Sequence, residues 1–221
     1  MRKIYFLLYR DEKLAWVHSN ISDSVFNHVV IGLDKEFREA YGYKAKGGNK
    51  VQREQISKYR PDGKCFICSK EITSEQYARL KAYLRSEVGK KYPYDYLGTF
   101  FLARIAGPLY HKYGIRVPRA LVKLFLVNPD KRTCGSFVAL ALESAGIKLS
   151  EQEIKQVPGT LSPYLVTPYT FIRYKELNLA PVYYGVIGGY FLHLEGVRKA
   201  PPGTPGGNSV RRECKYSSES F

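Results

Sequence analysis

The feature that most constrains this chain is an apolar helical stretch, 134–142, that begins with a cysteine. A thiol at the start of a helix lies beside amides without helical partners and at the positive end of the helix dipole, and both favour the thiolate. Far upstream, His28 lies within a β-type run, 25–33. A histidine on a strand next to this helix can take the proton from the thiol. The pair therefore predicts Cys134 as a nucleophile with His28 as its base.

The remaining pattern predicts a mixed chain of strands and helices. Alternating apolar residues predict strands over 3–9, 25–33, 36–43 and 64–72. Thr73 and Gln76 form a capping-box pattern at the start of a helix that ends at Gly89. Further helices are predicted near 99–112, from Cys134 to about Gly146, and near 169–176.

A third member of the site follows from a hairpin between the second and third strands. Asp34 and Lys35 read as a tight turn, which places His28 opposite Tyr41 and Glu39 diagonal to His28 on the same face. A carboxylate in that position holds the imidazole tautomer and stabilises its charged form. The prediction of Glu39 depends on a turn of even length.

Each of these residues also has a plain structural interpretation when taken alone. A histidine in a strand is often a core residue bonded to backbone, and a free cysteine packs as a small buried apolar residue. Glu39 alone is typical of a charge at a strand edge. The conjunction of the three residues favours the catalytic interpretation.

The charge of the chain points to acidic partners. It has 35 Lys and Arg against 20 Asp and Glu, a net charge of +15. Nucleic acid, anionic lipid and anionic cell-wall polymer all fit this balance, as does a solvated basic surface without a specific partner. The basic residues concentrate in 44–50, in 116–132 and in the tail.

The cysteines and the apolar segments exclude several classes. Four cysteines do not make a dense disulfide framework, and Cys65 and Cys68 lack the second pair that a structural zinc site needs, so no cofactor or metal is implied. The apolar run at the N-terminus is too short for a signal peptide and is expected to be the first strand. The segment 179–194 is too short and too broken by Gly and Pro to span a membrane. A cytoplasmic protein, or one delivered by a non-secretory route, is expected.

Several short motifs occur in the order found in one family. They cover 26–31, 37–40, 72–76, 89–98, 133–142 and 165–168. In this order the chain resembles the circularly permuted branch of the NlpC-type, papain-like thiol hydrolases, the YiiX/YebB-like group related to lecithin retinol acyltransferase. The match spans about 3–175 and departs from the family at Asn27 and Gly135, where serines are usual.

The resemblance implies an α+β, permuted papain-like fold, in which an antiparallel sheet packs against helices that include the cysteine-headed helix. It implies Cys134 as nucleophile, His28 as base and Glu39 as the orienting group. It also implies that Tyr94 lines the cleft and donates a hydrogen bond near the oxyanion, although a core aromatic fits Tyr94 nearly as well. The domain is expected to cover 1–176, followed by an apolar extension, 177–197, and a flexible basic tail, 198–221.

The function expected from these residues is a cysteine hydrolase that cleaves an amide, as in a peptide or cell-wall peptide, through a thioester on Cys134. The same site also suits a lipid acyltransferase or thioesterase, with an acyl lipid as substrate. A third possibility is an inactive basic protein that binds an anionic polymer or membrane surface through its basic patches.

Overall fold

The computed structural model describes residues 1–10, 26–44, 48–93, 130–147 and 177–199, together with Leu109, Tyr113, Pro168 and Phe171. The strands are β1 (Arg2–Arg10), β2 (His28–Gly32), β3 (Ala40–Lys44), β4 (Lys50–Arg53), β5 (Lys64–Ile72) and β6 (Ala180–Val186). The α-helices are α1 (Ser74–Glu87), α2 (Cys134–Ser144) and α3 (Ile187–Lys199), and a 3-10 helix covers Ile56–Lys58.

The six strands form one sheet in the order β4-β3-β2-β1-β5-β6, and every neighbouring pair is antiparallel. The α+β class predicted from the sequence is confirmed. The predicted strands 3–9 and 64–72 correspond to β1 and β5, which pair along their whole length from Arg2 with Ile72 to Arg10 with Lys64.

Helices cover both faces of the sheet, because its strands alternate apolar residues toward each side. On one face, Leu80 and Leu84 of α1 and Phe137 and Val138 of α2 belong to the same buried cluster as the sheet. On the other face, α3 contributes Ile187, Tyr190 and Leu194 to a second buried cluster. The sheet is thus the middle of three layers. Cys134 lies in α2, on the face of the sheet that α1 also covers.

Reciprocal capping boxes fix where α1 and α2 begin. Thr73 Oγ1 accepts from the amide of Gln76, whose side-chain oxygen accepts from the amide of Thr73. Thr133 and Ser136 repeat this arrangement at α2. The box at Thr73 confirms the sequence prediction, while the one at Thr133 was not predicted, since Ser at the third helical position is a weaker signal than Glu or Gln.

The predicted pairing of β2 with β3 is wrong. Ile31 pairs with Tyr41 and Gly32 with Ala40, instead of His28 with Tyr41. The Asp34 carboxylate accepts hydrogen bonds from the amides of Arg38 and Glu39 at 3.1 and 2.9 Å. These bonds organise 33–39 into a loop longer than a two-residue turn. The shift changes the face on which each side chain lies.

The segment 177–197, separated from the domain in the sequence prediction, contributes to the same sheet. Its strand β6 pairs with β5, with Cys65 opposite Gly185. Among the described residues, no helix has both the length and the apolarity needed to cross a membrane. The predicted helices near 99–112 and 169–176 and the tail beyond Lys199 lie largely outside the described residues.

Candidate active site

Cys134 is the first residue of α2, and its side chain lies at one end of the sheet. The residue is 7% exposed, and Sγ lies 4.0 Å from the carbonyl oxygen of Asn27, just before β2. The capping box engages the amides of Thr133 and Ser136, and the helical ladder starts with the amide of Phe137. The amides of Cys134 and Gly135 are therefore the first-turn donors that neither the box nor the ladder uses.

His28 is the first residue of β2, at the same end of the sheet. Its Nε2 lies 3.6 Å from Oε1 of Glu54, and its side chain is 15% exposed. Burial by itself lowers the pKa of His28, but interactions with Cys134 and Glu54 outweigh burial and raise the pKa to about 9. The imidazolium is thus the form that this environment favours at neutral pH, next to the thiol.

Glu54 follows β4, and its carboxylate lies at ion-pair distance from His28. Its amide donates to the carbonyl of Ala40 at 2.9 Å, which extends the β3–β4 pairing and places its side chain on the face that His28 shares. The side chain is 1% exposed, and Oε2 contacts Lys44 Nζ at 2.6 Å. Burial opposes the charge on Glu54, but His28 and Lys44 stabilise it and lower its pKa.

Tyr59 completes the surroundings of the buried carboxylate. Its hydroxyl donates to Glu54 Oε2 at 3.2 Å, and Lys44 Nζ lies 5.0 Å from the centre of its ring. Burial and the neighbouring Glu54 charge raise the pKa of Tyr59, so the phenol stays protonated and serves as a donor. The Glu54 carboxylate therefore contacts the Lys44 ammonium, the Tyr59 phenol and the His28 imidazole.

Gly42 in β3 makes room for this carboxylate. A Cβ atom built at Gly42 would lie 2.8 Å from Oε1 of Glu54. A larger residue would displace the Glu54 side chain, so the glycine is explained by the close approach of a side chain rather than by an unusual backbone conformation.

Glu39 does not meet His28, contrary to the sequence prediction. Its Oε1 accepts from Arg85 and from the hydroxyl of Tyr41, and its Oε2 contacts Lys81 at 3.2 Å. Burial opposes the charge on Glu39, while these three donors lower its pKa. The corrected register explains the error, because Glu39 and Tyr41 no longer project from the same strand face as His28, and Glu39 contacts Lys81 and Arg85 of α1 instead.

The other predicted residues fall into two groups. Tyr94 lies outside the described residues, so its predicted role stays a prediction. Cys65 and Cys68 lie in the two different buried clusters, and burial raises the pKa of each thiol to about 12. Within the described part of the chain, no three metal-ligating side chains converge.

Glu54, Lys44 and Tyr59 were missed by sequence reasoning. Glu54 follows Arg53 in a stretch that resembles an exposed charged loop. The available signal was Gly42, an isolated glycine between two tyrosines of a strand, because such a glycine often marks the close approach of another group.

Comparison with known proteins adds no family assignment to this geometry. No family model matches the chain, and searches of curated proteins and of solved structures find no match.

Proposed function

We propose that this chain is a cysteine hydrolase that cleaves an amide bond through a thioester on Cys134. The observation that carries the proposal is the meeting of a helix-terminal thiol, an imidazole and a buried carboxylate at one end of the sheet. This set of groups is the nucleophile, base and orienting group of a thiol hydrolase.

His28 has a distinct partner for each ring nitrogen in this proposal. Nε2 faces Glu54, so Nδ1 is the nitrogen available to the Cys134 thiol. Proton transfer from Sγ to Nδ1 gives a thiolate and an imidazolium, and Glu54 stabilises the imidazolium. Glu54 thereby takes the role that the motif resemblance implied for Glu39.

The reaction proceeds in two halves. The thiolate attacks the carbonyl carbon, and the amides of Cys134 and Gly135 donate to the oxyanion that forms. His28 then gives its proton to the leaving amine as the C–N bond breaks, which leaves an acyl thioester on Cys134. In the second half His28 takes a proton from water, the hydroxide adds to the thioester carbon, the C–S bond breaks to release the carboxylic acid, and His28 returns its proton to Sγ.

The first experiment measures the rate at which iodoacetamide alkylates each cysteine between pH 5 and 9, by peptide mapping. Cys134 is expected to react at pH 6 at least tenfold faster in the wild type than in His28→Ala, because the imidazolium stabilises the thiolate. Cys65 and Cys68 serve as internal controls, since both are fully buried.

Two results would contradict the proposal. One is a Cys134 that reacts no faster than Cys65 in the folded protein. The other is a reactive Cys134 whose rate is unchanged in a folded His28→Ala variant. The inactive binding protein predicts the first result, whereas a lipid acyltransferase shares the reactive thiol and differs in cleaving acyl-lipid esters rather than peptides.

A further inference from the structure

A row of cations continues outward from His28 across the end of the sheet. Extension of the β2–β3 register places Lys44 beside His28, and both side chains contact the carboxylate of Glu54. Lys44 pairs with Lys50 across β3 and β4, and an antiparallel bridge joins Lys50 to Lys91. Directly opposed residues of antiparallel strands project to the same face. Lys44, Lys50 and Lys91 therefore lie on the face of His28.

Lys50 and Lys91, the outer two lysines of this row, differ from Lys44 and Lys90 in their ion pairing. Lys44 contacts Glu54 at 2.6 Å, and Lys90 contacts Glu87 at 2.7 Å. Within the described part of the chain, Lys50 and Lys91 have no carboxylate at ion-pair distance. Lys50 is half-buried and Lys91 is exposed. Two neighbouring ammonium groups without an acid attract an anion from solution.

The outer lysines are also connected to the nucleophile. The amide of Tyr92 donates to the carbonyl of Asn49, next to Lys50, and the amide of Arg132 donates to the carbonyl of Pro93. Arg132 lies two positions before Cys134, and its guanidinium stacks at 4.4 Å from the centre of the Tyr92 ring. The segment that carries Lys91 therefore borders the entry to α2.

We propose that Lys50 and Lys91 form an anion subsite that binds acidic side chains of a peptide substrate. Strands lie about 4.8 Å apart, so the two lysines are about 10 and 14 Å from His28, which an extended peptide covers in about three to four residues. The assignment to a peptide substrate rests on the proposed amidase function. Basic patches that hold proteins on membranes use about four to eight cations, whereas this row offers two without an acid partner.

The test measures binding of two rhodamine-labelled peptide amides, Ala-Ala-Ala-Glu-Glu and Ala-Ala-Ala-Gln-Gln, by fluorescence anisotropy. The full chain carries Cys134→Ala, so that no chemistry occurs. The acidic peptide is expected to bind about tenfold more tightly than its neutral partner at low salt, and this preference should weaken as salt rises. The double variant Lys50→Gln, Lys91→Gln should lower the preference below about twofold.

The matched control removes the same charge at the other end of the sheet, through Lys3→Gln and Lys35→Gln, and should keep the preference. The proposal is overturned if no peptide binds at millimolar concentration, if the acidic peptide has no advantage, or if the advantage survives in Lys50→Gln, Lys91→Gln. It is also overturned if those two changes reduce binding to phosphatidylglycerol vesicles but not to the acidic peptide. Because this assay does not use the thiol, its failure is distinguishable from an unreactive Cys134.

Discussion

Two glutamates on neighbouring segments of this sheet, Glu39 and Glu54, are both held by cations, yet their settings differ. The Glu39 side chain is 20% exposed and contacts Lys81 and Arg85, two basic side chains of α1. Glu54 is 1% exposed, and one of its partners is a histidine. Ion pairing alone therefore does not distinguish the two carboxylates. What distinguishes Glu54 is a partner that can gain or lose a proton beside a thiol.

The largest expected difference between the two glutamates is in stability. Glu54→Ala leaves Lys44 without its buried partner and should lower the free energy of unfolding by about 3–5 kcal/mol. Glu39→Ala removes partly exposed pairs and should cost about 1 kcal/mol or less. Urea unfolding of both variants at pH 7 checks this prediction. Equal losses would mean that Glu54 is no more buried in solution than Glu39.

The pH dependence of stability should come from the Glu54 end of the sheet. The pKa of His28 is about 9, above the value of about 6.5 expected for an unfolded chain. The stabilisation of the folded state by protonated His28 is therefore fully present below pH 6.5 and is lost as the pH rises through 9. It amounts to about 3 kcal/mol in total.

Unfolding of the wild type and of His28→Gln at several values between pH 6 and 10 measures this effect. The advantage of the wild type should shrink steadily over that range. Glu39→Gln should leave the slope unchanged, because the cations around Glu39 lower its pKa and its carboxylate does not titrate in that range. An advantage that grows with pH would show that His28 is neutral in the fold.

Gly42 offers a way to disturb Glu54 without removing it. Gly42→Ala places a methyl group against the carboxylate and should cost about 1–3 kcal/mol, as overpacking does. In the Glu54→Ala background the methyl group has room, so the cost of Gly42→Ala should nearly vanish there. A double-mutant cycle by urea unfolding measures the coupling, and additive effects of the two changes would disprove the close approach.

Local signals in the sequence predicted α1, α2 and the two long strands β1 and β5, but not α3. The box between Thr73 and Gln76 involves residues three apart, and the apolar run after Cys134 is a property of one segment, so neither depends on distant contacts. The identity of the carboxylate that contacts His28, in contrast, did depend on distant contacts. It required the pairing of β2 with β3, and that pairing is set by Asp34 capping the amides of its own loop.

Glu54 was harder still to predict, because three chain segments determine its position. It approaches His28 only when β3 and β4 pair in the observed register and when Gly42 leaves space between them. A pattern of apolar and polar residues specifies which face a side chain occupies but not which distant strand lies next to it. The placement of Cys134 at the start of a helix and of His28 in a strand could be predicted from their own segments, and the contact of His28 with Glu54 could not.

The smallest expected effects concern Glu39, and they test the corrected register most directly. Glu39→Gln should change the rate of Cys134 alkylation at pH 7 by less than about twofold, because its partners Lys81 and Arg85 belong to α1 and not to the site. Glu54→Gln, which keeps the shape of the side chain, should lower the same rate about tenfold, because the imidazolium loses its counter-charge. If instead Glu39→Gln slows alkylation in a folded protein and Glu54→Gln does not, the hairpin pairs in solution as the tight turn at Asp34 first predicted. Glu39 would then be the residue that orients His28.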